Sequence, residues 1–562
     1  MDRAFELLDA VNPIRPAAAL MMEVLRSEGV RYIFGNPGTT EMPLINALEA
    51  VPDLSYVLGL QEASVVAMAD GYATVAGRPG FVNVHTAGGL GHAMGALLHS
   101  RIANTPLVIT AGQQDTRHAA MDPLLGGDAV DICRPVAKWA REVTHPDHLP
   151  MLLRRAFNDC MTAPQGPVFL SLPRDVMERT TPASAGQKLC VRRASVAAGL
   201  DELCDALVSI RRLAIIAGDE VSNTDACVET IEIAEALGAP VFGSSWPSGQ
   251  SFPASHPLWN GNLPTRASEI RACLEPFDAV LALGGHSLIT YPYSEGPALP
   301  PTCRLLQISA DANNLGRLYP TTWSSVGDLK ASLGALLPDL RARLEPHRSE
   351  IALMRERATQ VRAARHLALT SQVRSEMDAG VTTPLIAAHE VLRGAGSRAA
   401  IVDESPVTME FVRACLRIGP TRRYLFMRSA ILGWGMPAAV GASLGLDREP
   451  VVALVGDGSS LYSPQALWTA ARERLPVTFV VMNNRQYGIL KNYLKDEQHC
   501  ATARAGRFSG LDLINPAIDF AALAASMGVP AFRVERAGDI AGTVEARIGA
   551  EGPSLIEIPL GD

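Results

Sequence analysis

A series of apolar runs recurs along the chain: "RYIFG", "LSYVLGL", "GFVNVH", "PLVITAG", "LAIIAG", "DAVLALGG", "RLLQISAD", "PVVALVGD" and "VTFVVMNN". None shows clean period-two alternation, so each must have both faces covered. Separated by helix-like segments, such runs predict parallel sheets with helices on both sides, an α/β chain of doubly wound sheets. The 562 residues suggest about three domains, at roughly 100–200 residues each. Two joints divide them. Around 180–200, "TTPASAGQKLCVRRASVAAG" crowds small and turn-forming residues while apolar periodicity lapses. A charged helical segment around 336–366 leads to "DAGVTT". The predicted domains are therefore 1–182, 198–340 and 375–562.

Charge and cysteine usage narrow the function classes. The net charge is -8 with no long basic run, which gives no footprint for nucleic acid. No run of about 18 apolar residues predicts a membrane span. The N-terminal "MDRAFELLDAVNPIRPAAALMMEVLRSEG" lacks a basic region followed by an apolar one, and reads as a mature cytoplasmic start. Nine cysteines, none in CxxC spacing, suggest reduced thiols rather than disulfides or a zinc site.

The sharpest motif is in the third domain. "VVALVGDGSSLYSPQALWTAARERLPVTFVVMNN" reads as strand, Gly-rich turn, helix and strand. Asp457 stands between Gly456 and Gly458 at the end of one strand, and Asn484 ends the next. In a βαβ unit both strand ends lie on one sheet edge. A carboxylate and an amide oxygen converging there suit Mg²⁺, which completes its octahedron with water and phosphate oxygens. Gly458, Ser459 and Ser460 lead toward a helix N-terminus, whose N–H groups can hold a diphosphate.

With GDG followed at this spacing by NN, the chain resembles the thiamine diphosphate-dependent enzymes. The resemblance implies that Asp457, Asn484 and the Gln486 carbonyl ligate Mg²⁺, with Tyr487 and the Gly456–Ser459 turn at the cofactor. It gives Glu62, in "GLQEASVVAMADGYA", the task of hydrogen-bonding the aminopyrimidine N1′ so that the cofactor loses its C2 proton. An apolar setting would raise the pKa of that carboxyl. In "SAILGWGMPAAVGA", the resemblance makes Leu432 the wedge between the cofactor rings and the Ala430 carbonyl the acceptor of the 4′-amino group. Because family members take Glu and metal site from different subunits, a homodimer or homotetramer is expected.

Within that family, "YIFGNPGTTEMPLINAL", "VNVHTAGGLGHAMGAL", "PLVITAGQQ", "APQGPVFLSLP" and "VMNNRQYG" are similar to the benzoylformate decarboxylase branch. The resemblance implies a 2-keto acid substrate, an aldehyde product and CO₂. Thr39 stands where a Ser binds the substrate carboxylate, and His85 matches a proton-transfer His. Phe426, Arg428 and Tyr493 fall at pocket positions, Arg428 either pairing with an anionic substrate or turning into an interface. Pro406 and Val407 replace hydroxyls that touch the diphosphate.

The clearest departure is Tyr291, aligned with a second active-site His, while His286 lies five residues earlier. With a free pKa near 10, a Tyr is a poor proton shuttle at neutral pH. Slowed protonation would favour carbon–carbon ligation or the cleavage of 2-hydroxy ketones, the first alternative function. The second, a non-catalytic cofactor-binding subunit, predicts loss of Glu62 or the metal pair, and both are present. The middle domain reads as a Rossmann-like sheet without GxGxxG, so no flavin is expected.

Overall fold

A computed structural model describes residues 14–417, 422–497 and 499–561. The first thirteen residues of the N-terminal reading lie outside them. Each apolar run quoted above forms a strand, and these strands belong to three six-stranded sheets paired throughout in parallel. An antiparallel pair, Arg15–Pro16 with Thr180–Thr181, stands apart.

Counted in chain order within each sheet, the first (strands between residues 32 and 173) and the third (between 400 and 559) share the order 2-1-3-4-6-5. The central sheet, between 213 and 326, has the Rossmann order 3-2-1-4-5-6. In such sheets a crevice opens beyond the carboxyl ends of the strands where the order reverses, and ligands bind there. In the first sheet this point lies between Tyr32–Asn36 and Gly80–Val84, so Asn36, Thr39 and His85 emerge beside it. In the third it lies between Ala400–Glu404 and Val451–Gly456, followed by Pro406, Val407 and Asp457.

The chain forms two compact units. One contains the described residues up to 192 with 429–448 and 461–475; the other contains 193–428, 449–460 and the described residues from 476. In the first unit, helix Glu62–Ala76 packs along helix Gly435–Gly445 with backbone against backbone. A Cβ on Gly71 would stand 2.1 Å from the Ala438 carbonyl oxygen, and one on Gly441 would stand 1.7 Å from that of Met68. Only glycine permits this approach. The small residues behind Glu62 therefore fix the height of its helix. In the second unit, the central and third sheets are joined by the Gly249–Leu425 bridge and by Arg428. Among the described residues, no helix is long and apolar enough to cross a membrane.

Candidate active site

In the first unit, Glu62 opens its helix after Gln61, whose side chain caps the Ser64 N–H. Glu62 is only 9% exposed. Its surroundings are more polar than the apolar run predicts: the Asn36 amide lies 3.2 Å from Oε1 and the His92 Nδ1 lies 3.2 Å from Oε2. Asn36 arrives on the strand crossing the switch point, and His92 on the adjacent helix Thr86–Ala103. Periodicity misses both, because each lies beside Glu62 in space and not in sequence.

His85 ends its strand and precedes helix Thr86–Ala103. Its Nδ1 sits 2.7 Å from Glu41 Oε2 and 3.1 Å from Thr40 Oγ1. Glu41 is buried and also accepts from Gly38 N, Gly112 N and Thr40 Oγ1 at 2.8–2.9 Å. These contacts surround the carboxylate with donors, so Nδ1–H points at Glu41 and Nε2 faces away with its tautomer set. His85 was expected at this edge; its neighbours Glu41 and Thr40 were not. The available signal is an acid two residues beyond Thr39 in the same turn. Thr39 is exposed at the start of the short 3-10 turn Thr39–Glu41.

The turn 429–434, also in the first unit, holds Ala430 at φ 56 and Gly433 at φ 97. Ala430 is exposed and Leu432 half-buried, so the turn projects from its base. A non-glycine residue at positive φ is a strained choice that persists where its surroundings impose it.

In the second unit, strand Val477–Asn483 pairs with Val451–Gly456 in the register Gly456–Met482. Asp457 and Asn484 thus leave neighbouring strands at one edge. Asp457 is buried; its Oδ1 accepts from Gly458 N at 2.8 Å, while Oδ2 makes no hydrogen bond among the described residues. Burial pushes the Asp457 pKa above the ordinary carboxylate value, against the opposing pull of the Gly458, Arg485 and Gln486 amides. An orphaned buried carboxylate oxygen is costly unless a cation or donor meets it. Asn484 Oδ1 lies 3.2 Å from Gln486 N. The bridge between Gln486 and Asp512 uses the Arg485 carbonyl and Tyr487 N–H, so it does not engage the Gln486 carbonyl. Among the described residues no cluster of three His, Cys, Asp or Glu side chains is set to hold a metal.

Gly458 and Ser459 form a single helical turn, Asp457–Ser460, rather than the start of a long helix. Tyr487 lies over it, and a Cβ on Gly458 would stand 2.6 Å from the Tyr487 ring. Both serines are buried, with Ser460 Oγ donating to the Asp457 carbonyl at 2.7 Å. Pro406 lies near Gly456, and Val407 near Gly488.

Two expected pocket residues have other partners. Arg428 is buried and binds Asp219 together with the Trp246 carbonyl at 2.9 Å, so the anion it meets belongs to the protein. Phe426 is 1% exposed, edge-on to Trp246 at 5.3 Å with the Arg413 guanidinium over its face at 4.1 Å. It packs the unit and presents no surface to a ligand. Tyr493 is half-exposed on helix Gly488–Asp496. Tyr291 is 67% exposed. His286, at φ 55, has its pKa lowered by surrounding protein and by the Arg428 and Arg317 cations. At the central switch point Glu220 accepts from Gly285 N and Ala310 N at 2.8 Å and from Ser309 Oγ at 2.6 Å. An internal carboxylate thus takes the amides that a bound phosphate would use there.

Two switch-point edges, one carrying Asn36 and His85 and the other Asp457 and Asn484, lie where open α/β sheets bind ligands. Comparison with known proteins identifies the family. The chain matches the thiamine pyrophosphate enzyme N-terminal TPP binding domain over residues 15–132, the central domain over 200–336 and the C-terminal TPP binding domain over 407–558. It belongs to the thiamine pyrophosphate-dependent enzyme family. It is 32% identical over 544 residues to benzoylformate decarboxylase of Pseudomonas aeruginosa, covering 96% of this chain and 97% of the relative. A putative acetolactate synthase large subunit, IlvX, of Mycobacterium tuberculosis is 27% identical, covering 96% and 98%. The solved thiamine diphosphate-dependent 4-hydroxybenzoylformate decarboxylase of Rhodococcus jostii RHA1 superposes with a TM-score of 0.84 at 29% identity, covering 97% of this chain and 99% of that one. The protein is thus a thiamine diphosphate enzyme with decarboxylase and synthase relatives.

Proposed function

We propose that the protein is a Mg²⁺-requiring decarboxylase of 2-keto acids, converting a benzoylformate-like acid to an aldehyde and CO₂. The observation that carries the metal and cofactor part of this reading is the buried Asp457 Oδ2, an acceptor without a donor at the edge where Asn484 emerges, and the similarity to benzoylformate decarboxylases supports the reaction. Asp457, Asn484 and the Gln486 carbonyl would hold the metal, and the Gly456–Ser459 turn the diphosphate. When bound, thiamine diphosphate supplies a nucleophilic carbon and an electron sink for the pair left by CO₂. The chain's own groups bind and move protons. Glu62 holds a proton at the aminopyrimidine N1′. The Ala430 carbonyl and Leu432 orient the rings. The Thr39 hydroxyl binds the substrate carboxylate, and His85 Nε2 delivers a proton to the product carbon. The working assembly would be a cytoplasmic homodimer or homotetramer, Glu62 of one copy serving the Asp457 edge of another. In this reading the chain has three domains, 1–182, 198–340 and 375–562, and works without a flavin.

Glu41→Gln tests the role of His85. Every neighbour of the Glu41 carboxylate is a donor, so an amide must turn its NH₂ toward one of them and disturb the His85 tautomer. The decarboxylation kcat is expected to fall roughly 100-fold, with KM changing much less, on the usual scale of general acid–base effects. Steady-state kinetics check it; an unchanged kcat would remove His85 from proton transfer.

A second reading, acyloin formation or 2-hydroxy ketone cleavage on the same scaffold, draws on Tyr291. Its side chain is two-thirds exposed and offers no second buried proton donor. Incubation with thiamine diphosphate, Mg²⁺ and benzoylformate, following CO₂ and benzaldehyde, separates the two. CO₂ with stoichiometric aldehyde supports decarboxylation. Ligation of added aldehydes without CO₂ from the keto acid supports the second reading.

A further inference from the structure

We infer that a buried knot of side chains, His99 with Asp70, Ser429 and Trp434, holds the Ala430–Leu432 turn in its cofactor-binding shape, which makes His99 a positioning residue. The inference rests on the thiamine diphosphate reading of that turn. His99 and Asp70 are each 1% exposed. They lie on the two helices that carry the Glu62–His92 contact, Asp70 on Glu62–Ala76 and His99 on Thr86–Ala103.

The knot grips the turn at both ends. At its start, Ser429 Oγ lies 2.8 Å from His99 Nδ1 and accepts the Ile431 N–H at 3.2 Å. That second bond closes the backbone around Ala430, the residue at φ 56. At its end, Trp434 Nε1 donates to Asp70 Oδ1 at 3.0 Å, and its indole stacks on the His99 ring at 4.9 Å and 26°. Ser100 Oγ donates to Asp70 Oδ2 at 2.6 Å, and His99 Nε2 lies 3.8 Å from Asp70 Oδ1. Ser429 has a proton to give to Nδ1, which turns Nε2–H toward the Asp70 carboxyl. One imidazole thus spans the first residue of the turn and the anchor of its last. The residues between them have no comparable burial: Ala430 is exposed and Ile431 and Leu432 half-buried. The strain at Ala430 is imposed by the knot beneath it.

The test uses the full-length protein. In cofactor-free His99→Leu, backbone hydrogen exchange across 429–434 is expected to quicken roughly three- to tenfold, the effect of losing about one hydrogen bond in a local opening. The thiamine diphosphate concentration for half-maximal activity rises by a similar factor, while kcat at saturating cofactor stays within about twofold. His99→Asn, whose side-chain amide stands near the Nδ1 position, restores both. Should His99→Leu fail to fold, Ser429→Ala removes only the hydroxyl between His99 and Ile431, and the same local change is expected. Unchanged exchange across 429–434 in either variant overturns the inference, as does faster exchange spread evenly over the whole first unit. If the wild type binds no thiamine diphosphate, the functional reading fails on that result, while the exchange data still report whether His99 holds the turn.

Discussion

Asp457→Asn is expected to weaken Mg²⁺-dependent binding of thiamine diphosphate by about 100-fold or more, and to leave the cofactor-free protein at least as stable as wild type. Loss of groups that merely support a metal ligand costs about 10–100-fold in affinity, and a ligand itself should cost no less. The stability effect has the opposite sign. The folded-state pKa of Asp457 is raised, chiefly by burial. Its contribution to stability is fully present below the unfolded carboxyl value and is lost as pH rises through the raised folded value. At neutral pH the ionised group is therefore a net cost, which the neutral amide removes. Asp403 in the same sheet provides the contrast. Burial raises its pKa in the same direction, but its oxygens are satisfied: it accepts from Ser405 and from Tyr424 OH, 2.9 Å away, bonds whose loss outweighs the relief of charge. Asp403→Asn disturbs satisfied bonds and is expected to lower the Tm. Calorimetric titration and thermal melts of the two variants read both effects; a destabilised Asp457→Asn that keeps its cofactor affinity would mark Asp457 as structural.

Glu62→Gln is expected to slow exchange of the cofactor C2 proton by roughly 10²- to 10⁴-fold, the range of a positioned acid–base group. The substitution keeps the shape of the side chain and a donor or acceptor for Asn36 and His92, so the helix should hold its place. What it removes is the capacity to hold and release a proton. Nuclear magnetic resonance of quenched deuterium exchange measures the rate directly, without any substrate. Exchange as fast as in wild type would leave Glu62 with a structural role at its helix N-terminus.

The sheets were legible because parallel strands buried on both faces leave continuous apolar runs, and "PVVALVGD" and "VTFVVMNN" carry Asp457 and Asn484 to one edge by topology alone. Family resemblance supplied the roles expected of Glu62, Leu432 and His85. What the chain order concealed is lateral contact. Glu41 and Gly112 meet across the first sheet, and Asn36 and His92 converge on Glu62 from separate elements. Arg428 was ambiguous for the same reason, since its partner Asp219 lies 209 residues away in sequence. Phe426 kept an aromatic identity that fits a pocket or a core equally well, and the Arg413 and Trp246 contacts make it core.

In the proposed reading this chain binds thiamine diphosphate through a metal held at the Asp457–Asn484 edge. The most direct test is calorimetric titration of the cofactor-stripped, full-length protein with thiamine diphosphate, first with Mg²⁺ and then with the metal chelated. Saturable binding at one site per chain that disappears on chelation is expected. Absence of binding with Mg²⁺ present, or binding of equal strength without it, would rule out a metal-held cofactor at this edge.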